Sequence, residues 1–268
     1  MAGRDYEREL IAVARPYWNA EAELTRRFFR ARPGKAKLIR YLRAAVYKEL
    51  NPVIGYGATT GYANGLHMEF AGIVDDFRRL DRRVARRDML ARLKMMAEEF
   101  EHYVVLAEVL EHMLGRKLRP SDARQLPEDR KLNAMRRRYV RLGDPRLKAA
   151  MGLTEGGGSS TFREAAKLKG GEFERRLAQA MKVIHVDEKD HYQEAAREAA
   201  RLVRSPADLG RMKTALAEVS RQRVEMRYEM FSAPMPREEL ERLLAANGGA
   251  AVAAPVNSKR RKRPAMNS

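Results

Sequence analysis

Apolar residues recur at three- and four-residue intervals along most of the chain, the period of an amphipathic helix, and no sustained run of β-branched residues alternates with polar ones as a half-buried strand would. Pro and Gly punctuate this pattern. The spacing predicts a helix over about 4–30, kinked near Pro16, and a second over about 35–50. Long helices are expected over about 57–83 and about 87–115. The basic stretch from about 116 to 145 is broken by Pro120, Pro127 and Pro145 and has room for one short helix. Helices over about 146–168 and 172–204 follow, then one from Ser205-Pro206 to about 231, and a short one opened by Pro236. The reading is all-α: one domain over 1–247 and a basic, Ala/Pro/Lys/Arg-rich tail over 248–268, expected to be disordered.

Two of these helices share a small motif. Residues 98–103 read EEFEHY and residues 187–192 read DEKDHY, so two of the five histidines lie in one repeated pattern. Glu99 and His102 stand three apart, as do Glu188 and His191, which puts each pair on one helix face. Both pairs interrupt apolar stripes. One stripe runs Leu93, Met96, Glu99, His102, Leu106, Val109 and Met113. The other runs Leu177, Met181, Ile184, Glu188, His191, Ala195, Ala199 and Leu202. A carboxylate and an imidazole turned toward a core are costly unless an ion pair or a bound metal compensates them. His67 and His112 do not share this placement.

Two further carboxylates lie in the stripes of the preceding helices. Glu69 follows Tyr62 and Leu66, and Glu155 follows Met151. With a turn near 84–85, Glu69 and Glu99 each lie about 15 residues from it; with a turn at Gly170-Gly171, Glu155 and Glu188 differ by about 3 Å in height. Two antiparallel hairpins would then each present a Glu opposite a Glu-x-x-His.

This constellation resembles the ferritin-like superfamily of dimetal carboxylate proteins, over about 57–204, and it is the ligand pattern by which such bundles are described. The resemblance implies a four-helix bundle with additional N- and C-terminal helices and a metal site of Glu69, Glu99, His102, Glu155, Glu188 and His191. Glu98 and Asp187, four residues before the histidines, would hydrogen-bond the opposite helix's histidine and fix its ring. The cofactor would be two iron ions, although Glu and His suit Mn/Fe and Mn/Mn pairs as well. The resemblance further implies an oxygenase or oxidase acting on a small organic substrate with dioxygen, an electron-donor protein, and a homodimer. Iron storage with ferroxidase activity, and hydroxylation of RNA, are the alternative functions. The glycines of EGGGSS after Glu155 either interrupt the helix or sit within it. Within it they would open space beside one metal for dioxygen and substrate, or serve close packing.

Composition narrows the classes. Hydrophobic residues make up 44%, enough for a packed core, and there is no Cys, which excludes disulfides, thiolate metal sites and cysteine nucleophiles. No apolar signal core or run of 18 apolar residues is visible, so a cytoplasmic protein without membrane spans is expected. The formal net charge is +18. Taking the five residues Lys259–Arg263 from the 54 basic ones leaves 49 against 36 acidic, so the excess belongs to the body. Such a body attracts anions, but no nucleic-acid motif accompanies it and nucleic acid is not the expected partner.

Overall fold

The computed structural model describes residues 2–54, 71, 74 and 86–246, and among these it is helical without any strand. The helices are α1 (Ala2–Arg30), α2 (Lys35–Ile54), α3 (Arg86–Leu114), α4 (Pro127–Val140), α5 (Pro145–Gly152), α6 (Glu155–Ala165), α7 (Glu172–Glu188), α8 (His191–Leu202), α9 (Pro206–Met230) and α10 (Arg237–Ala246). A 3₁₀ turn covers Pro120–Asp122. The expected 57–83 helix, with Glu69, and the 248–268 tail lie outside the described residues. None of the described helices is long and apolar enough to cross a membrane.

Local chemistry sets the boundaries. Proline stands at the first position of α4, α5 and α9, where a missing N–H costs nothing. Ser205 caps α9 by accepting from Asp208 N at 3.1 Å, and Asp144 caps α5 by accepting from Arg146 N at 3.0 Å. The 116–145 stretch carries more helix than its prolines suggest, because Pro127 starts α4 rather than stopping one.

Two helices expected to be continuous are jointed. Between α5 and α6, the N–H groups of Leu153, Thr154, Gly156 and Gly157 all bond to carbonyls three residues back, a tighter 3₁₀-type winding. Trp18 Nε1 donates to Leu153 O at 3.1 Å and Arg136 donates to Thr154 Oγ1 at 2.9 Å, so this joint is held from both sides. Between α7 and α8, Lys189 and Asp190 keep right-handed helical dihedrals while leaving the hydrogen-bonded ladder.

The N-terminal helix is not an outer wall. α1 runs unbroken through Pro16, buries Leu10, Ala14, Tyr17, Trp18, Leu24 and Phe28, and packs against α6, α8 and α9. Rings of Phe28, Phe29, Tyr41 and Phe231 meet at centroid distances of 5.0–6.4 Å and tie α1 to α2 and the end of α9. α2 lies along α3, α3 along α7, and α6 along α7.

Gly156, Gly157 and Gly158 lie within α6, and all three are buried. Gly156 and Gly157 open no channel, whereas Gly158 lines a cavity together with Glu155 and Phe162. A β-carbon at Gly156 would stand 2.5 Å from the Trp18 ring, one at Gly157 would overlap the Glu21 carboxylate, and one at Gly158 would reach within 2.6 Å of an Arg223 nitrogen. The glycines let α6 approach α1 and α9 closely. Gly157→Ala is therefore expected to destabilise the protein by about 1–3 kcal/mol through overpacking. Gly210→Ala, on the exposed face of α9 with nothing within 4 Å, should stabilise it by about 0.5–1 kcal/mol. Urea denaturation of the two variants checks both signs.

Candidate metal centre

Six side chains form two clusters. Glu49, Glu99 and His102 make one; Glu155, Glu188 and His191 make the other. In each, one ligand atom per residue lies within 4.8 Å of the others. The structure thus brings together five of the residues expected from the sequence. The carboxylate completing the first cluster is Glu49, from α2. It continues a buried stripe of Leu42, Ala45 and Val46 at helical spacing, a signal present in the sequence. Matching heights across a short turn concealed it, because α2 ends at Ile54 and α3 begins at Arg86, too far apart in sequence for that comparison.

The histidines are set differently. His102 is almost wholly buried, at 1% exposure. As the Nε2–H tautomer it donates to Asp187 Oδ2 at 3.1 Å, which is the cross-helix bond expected for Asp187. Its Nδ1 is buried without a hydrogen-bond partner and lies 3.8 Å from Glu49 Oε2. An orphaned acceptor nitrogen aimed at carboxylates is what a metal-ligating imidazole presents when its other nitrogen is fixed by an acid. His191, at the first position of α8, places Nδ1 3.2 Å from Glu188 Oε2. The hydrogen bond expected from Glu98 to His191 is not among those of the described residues; Glu98 acts on His191 only electrostatically, as the smallest of several influences.

The clusters share one electrostatic environment. Burial, followed by Glu49, Glu188, Glu155 and Glu98, pushes the Glu99 carboxyl well above its usual range. Burial also raises Glu49, and Glu188 adds to the effect. Glu155 is pushed up to about 7 by burial and by Glu188. His191 is raised to about 9, first by its hydrogen bond with Glu188. These shifts describe carboxylates crowded together without enough positive charge among them, which a divalent cation would supply.

Glu49, Glu99, Glu155, Glu188 and His191 line one cavity of about 570 Å³. Three buried arginines, Arg136, Arg223 and Arg227, and the half-buried Lys48 line it too, and sequence reading did not single them out. Scattered arginines on helices read as solvated surface; only the packing shows these to be interior. Among the described residues, the two other histidines lie apart from both clusters: His112 is exposed, and His185 Nδ1 is 3.4 Å from Ser159 Oγ. Tyr192 packs edge-on against Trp18 at 4.8 Å, and Tyr103 lies against Phe100 at 5.7 Å.

The raised acidities fix the sign of a pH effect. At neutral pH, part of the Glu155 population and His191 hold protons that a cation must displace, and the raised Glu99 carboxyl acts in the same direction, so affinity should rise with pH. Between pH 6 and 8 the apparent affinity for Mn²⁺ is expected to climb about tenfold per unit for each proton displaced. Chelator competition at three pH values reads the slope, and a flat profile would detach the cation from these groups.

Comparison with family models, with curated proteins and with solved structures finds no match for this chain.

Proposed function

We propose that the chain is a dioxygen-activating dimetal-carboxylate oxidoreductase of ferritin-like type, holding two iron ions and oxidising a small organic substrate. The observation that carries this reading is the pair of Glu/Glu-x-x-His clusters on one cavity, with the buried Nδ1 of His102 left unpartnered toward Glu49. The donor set fits the group. Four carboxylates and two imidazoles, with no thiolate, suit iron or manganese.

Glu49, Glu99 and His102 would hold one ion, and Glu155, Glu188 and His191 the other. Bound there, two iron ions would supply the electrons that reduce dioxygen. The chain's own residues orient and enclose. Asp187 fixes the His102 ring by accepting its Nε2–H, which directs Nδ1 to the site. The Arg136–Thr154 and Trp18–Leu153 bonds hold the joint that carries Glu155. The cavity beside the clusters has apolar walls from Met95, Met151 and Phe162 and a volume in the range of small-molecule sites. That space favours an enzyme over a storage protein, whose centre needs room for ions alone.

Anaerobic loading with ferrous iron should give about two ions per chain by elemental analysis. His102→Ala, His191→Ala and Glu49→Ala should each lower that number, while His112→Ala and His185→Ala should not. A folded helical protein with no bound metal would end this reading. If Glu69→Ala lost metal while Glu49→Ala kept it, the first cluster would be misassigned. On exposure to dioxygen the loaded protein should consume it and then stop. Iron uptake that keeps rising far past two per chain on repeated addition would establish storage instead.

A further inference from the structure

The geometry points to a substrate with an oxyanion head, a carboxylate or a phosphate, held by Arg136 at the inner wall of the cavity with its apolar body toward Met95 and Phe162. This assignment rests on the dimetal reading and adds the substrate's chemical class.

Charge counting carries it. Lys48 has its own counter-ion, Asp129, at 3.0 Å. Arg223 and Arg227 share one, their Nε atoms both donating to the Glu21 carboxylate at 3.0 and 3.1 Å. Arg136 has none. Its hydrogen bond among the described residues goes to a neutral hydroxyl, Thr154 Oγ1, although the side chain is only 4% exposed and a guanidinium carries five N–H donors. Four cations, Lys48 and the three guanidinium groups, thus face two carboxylates outside the metal clusters, Asp129 and Glu21. Without metal, the site's own glutamates offset the excess: Glu155 interacts with Arg136 and Arg223, and Glu49 with Lys48 and Arg227. Two divalent cations would neutralise the four glutamates and leave the guanidinium excess uncompensated beside the cavity.

An arginine cannot shed its proton at physiological pH, so a buried excess of this kind calls for an anion. The planar fork of donors suits a carboxylate or phosphate. Glu194 and Glu198 also line the cavity, but at exposed positions of α8 where water and salt screen them. The anion therefore belongs at the inner wall, and the remaining volume takes a body of modest size.

The test uses the Mn²⁺-loaded full chain, which is stable in air, with octanoate, octyl phosphate and octanamide as probes in calorimetric titration. Octanoate or octyl phosphate should bind at least tenfold more tightly than octanamide, and whichever of the two is tighter names the head. Arg136→Gln should remove that preference while manganese stays at two per chain. Because Arg136 also supports Thr154, Arg136→Lys provides a second variant that keeps the charge and should retain part of the preference. The wild-type comparison of octanoate with octanamide needs no variant at all. Equal binding of the three probes overturns the proposal. So does an anion preference unchanged by both substitutions, which would put the head on the ions rather than on Arg136. If manganese fails to bind while octanoate still prefers the wild type over Arg136→Gln, the dimetal reading falls and the oxyanion pocket stands.

Discussion

Four half-buried glutamates converging on one cavity repel one another, and most of the surrounding structure can be understood as a response to that repulsion. An isolated buried carboxylate already costs several kcal/mol in lost hydration. Glu49, Glu99, Glu155 and Glu188 add mutual repulsion to that cost, visible in the raised carboxyls of Glu49, Glu99 and Glu155. Plain packing would not assemble such a group. Something must offset it, and the protein provides two means: protons at neutral pH, and a layer of buried cations behind the ligands.

That cation layer depends in turn on Glu21. It is 1% exposed, on the face of α1 that meets α6 and α9, and it receives both Arg223 and Arg227. Removing one member of a buried charge group costs about 3–5 kcal/mol, because the rest are left unpaired. The room for the Glu21 carboxylate exists because Gly157 has no side chain, and the rooms for Trp18 and Arg223 exist because Gly156 and Gly158 have none. The glycine run thus serves the centre indirectly. It lets α6 come close enough for α1 and α9 to carry positive charge to the back of the site.

The helical class, most element boundaries and five of the six clustered residues were legible in the sequence, because a polar pair interrupting an apolar stripe needs no tertiary information to be noticed. Glu49 was not found for a physical reason. Equal distance from a turn ranks candidates only when the connection is short, and α2 and α3 are far apart in sequence. The role of α1 was hidden as well. Its buried Glu21 and Thr25 look like ordinary polar positions until the arginines that face them are known. The arginines of α4 and α9 were hidden by number: among so many basic residues, composition cannot separate the few that are interior from the many that are solvated.

Placement of the ligands along their helices completes the picture. Glu155 opens α6, Glu188 closes α7 and His191 opens α8, so the second cluster is built from helix ends, whereas Glu99 and His102 lie well inside α3. A carboxylate in the first turn of a helix is favoured by the dipole, which offsets part of the cost of burying Glu155. A joint whose residues keep helical dihedrals preserves the Glu-x-x-His spacing while freeing backbone hydrogen bonds from the ladder. The second cluster can therefore adjust by small rotations about Lys189 and Asp190 that the first, locked inside a continuous helix with His102 pinned by Asp187, cannot make. His191 is also far more exposed than His102, at 36% against 1% of its side chain. The two halves of the repeat consequently differ: on α2 and α3 a cluster whose histidine is buried inside a continuous helix, and on α6, α7 and α8 a jointed one whose histidine is solvent-reachable.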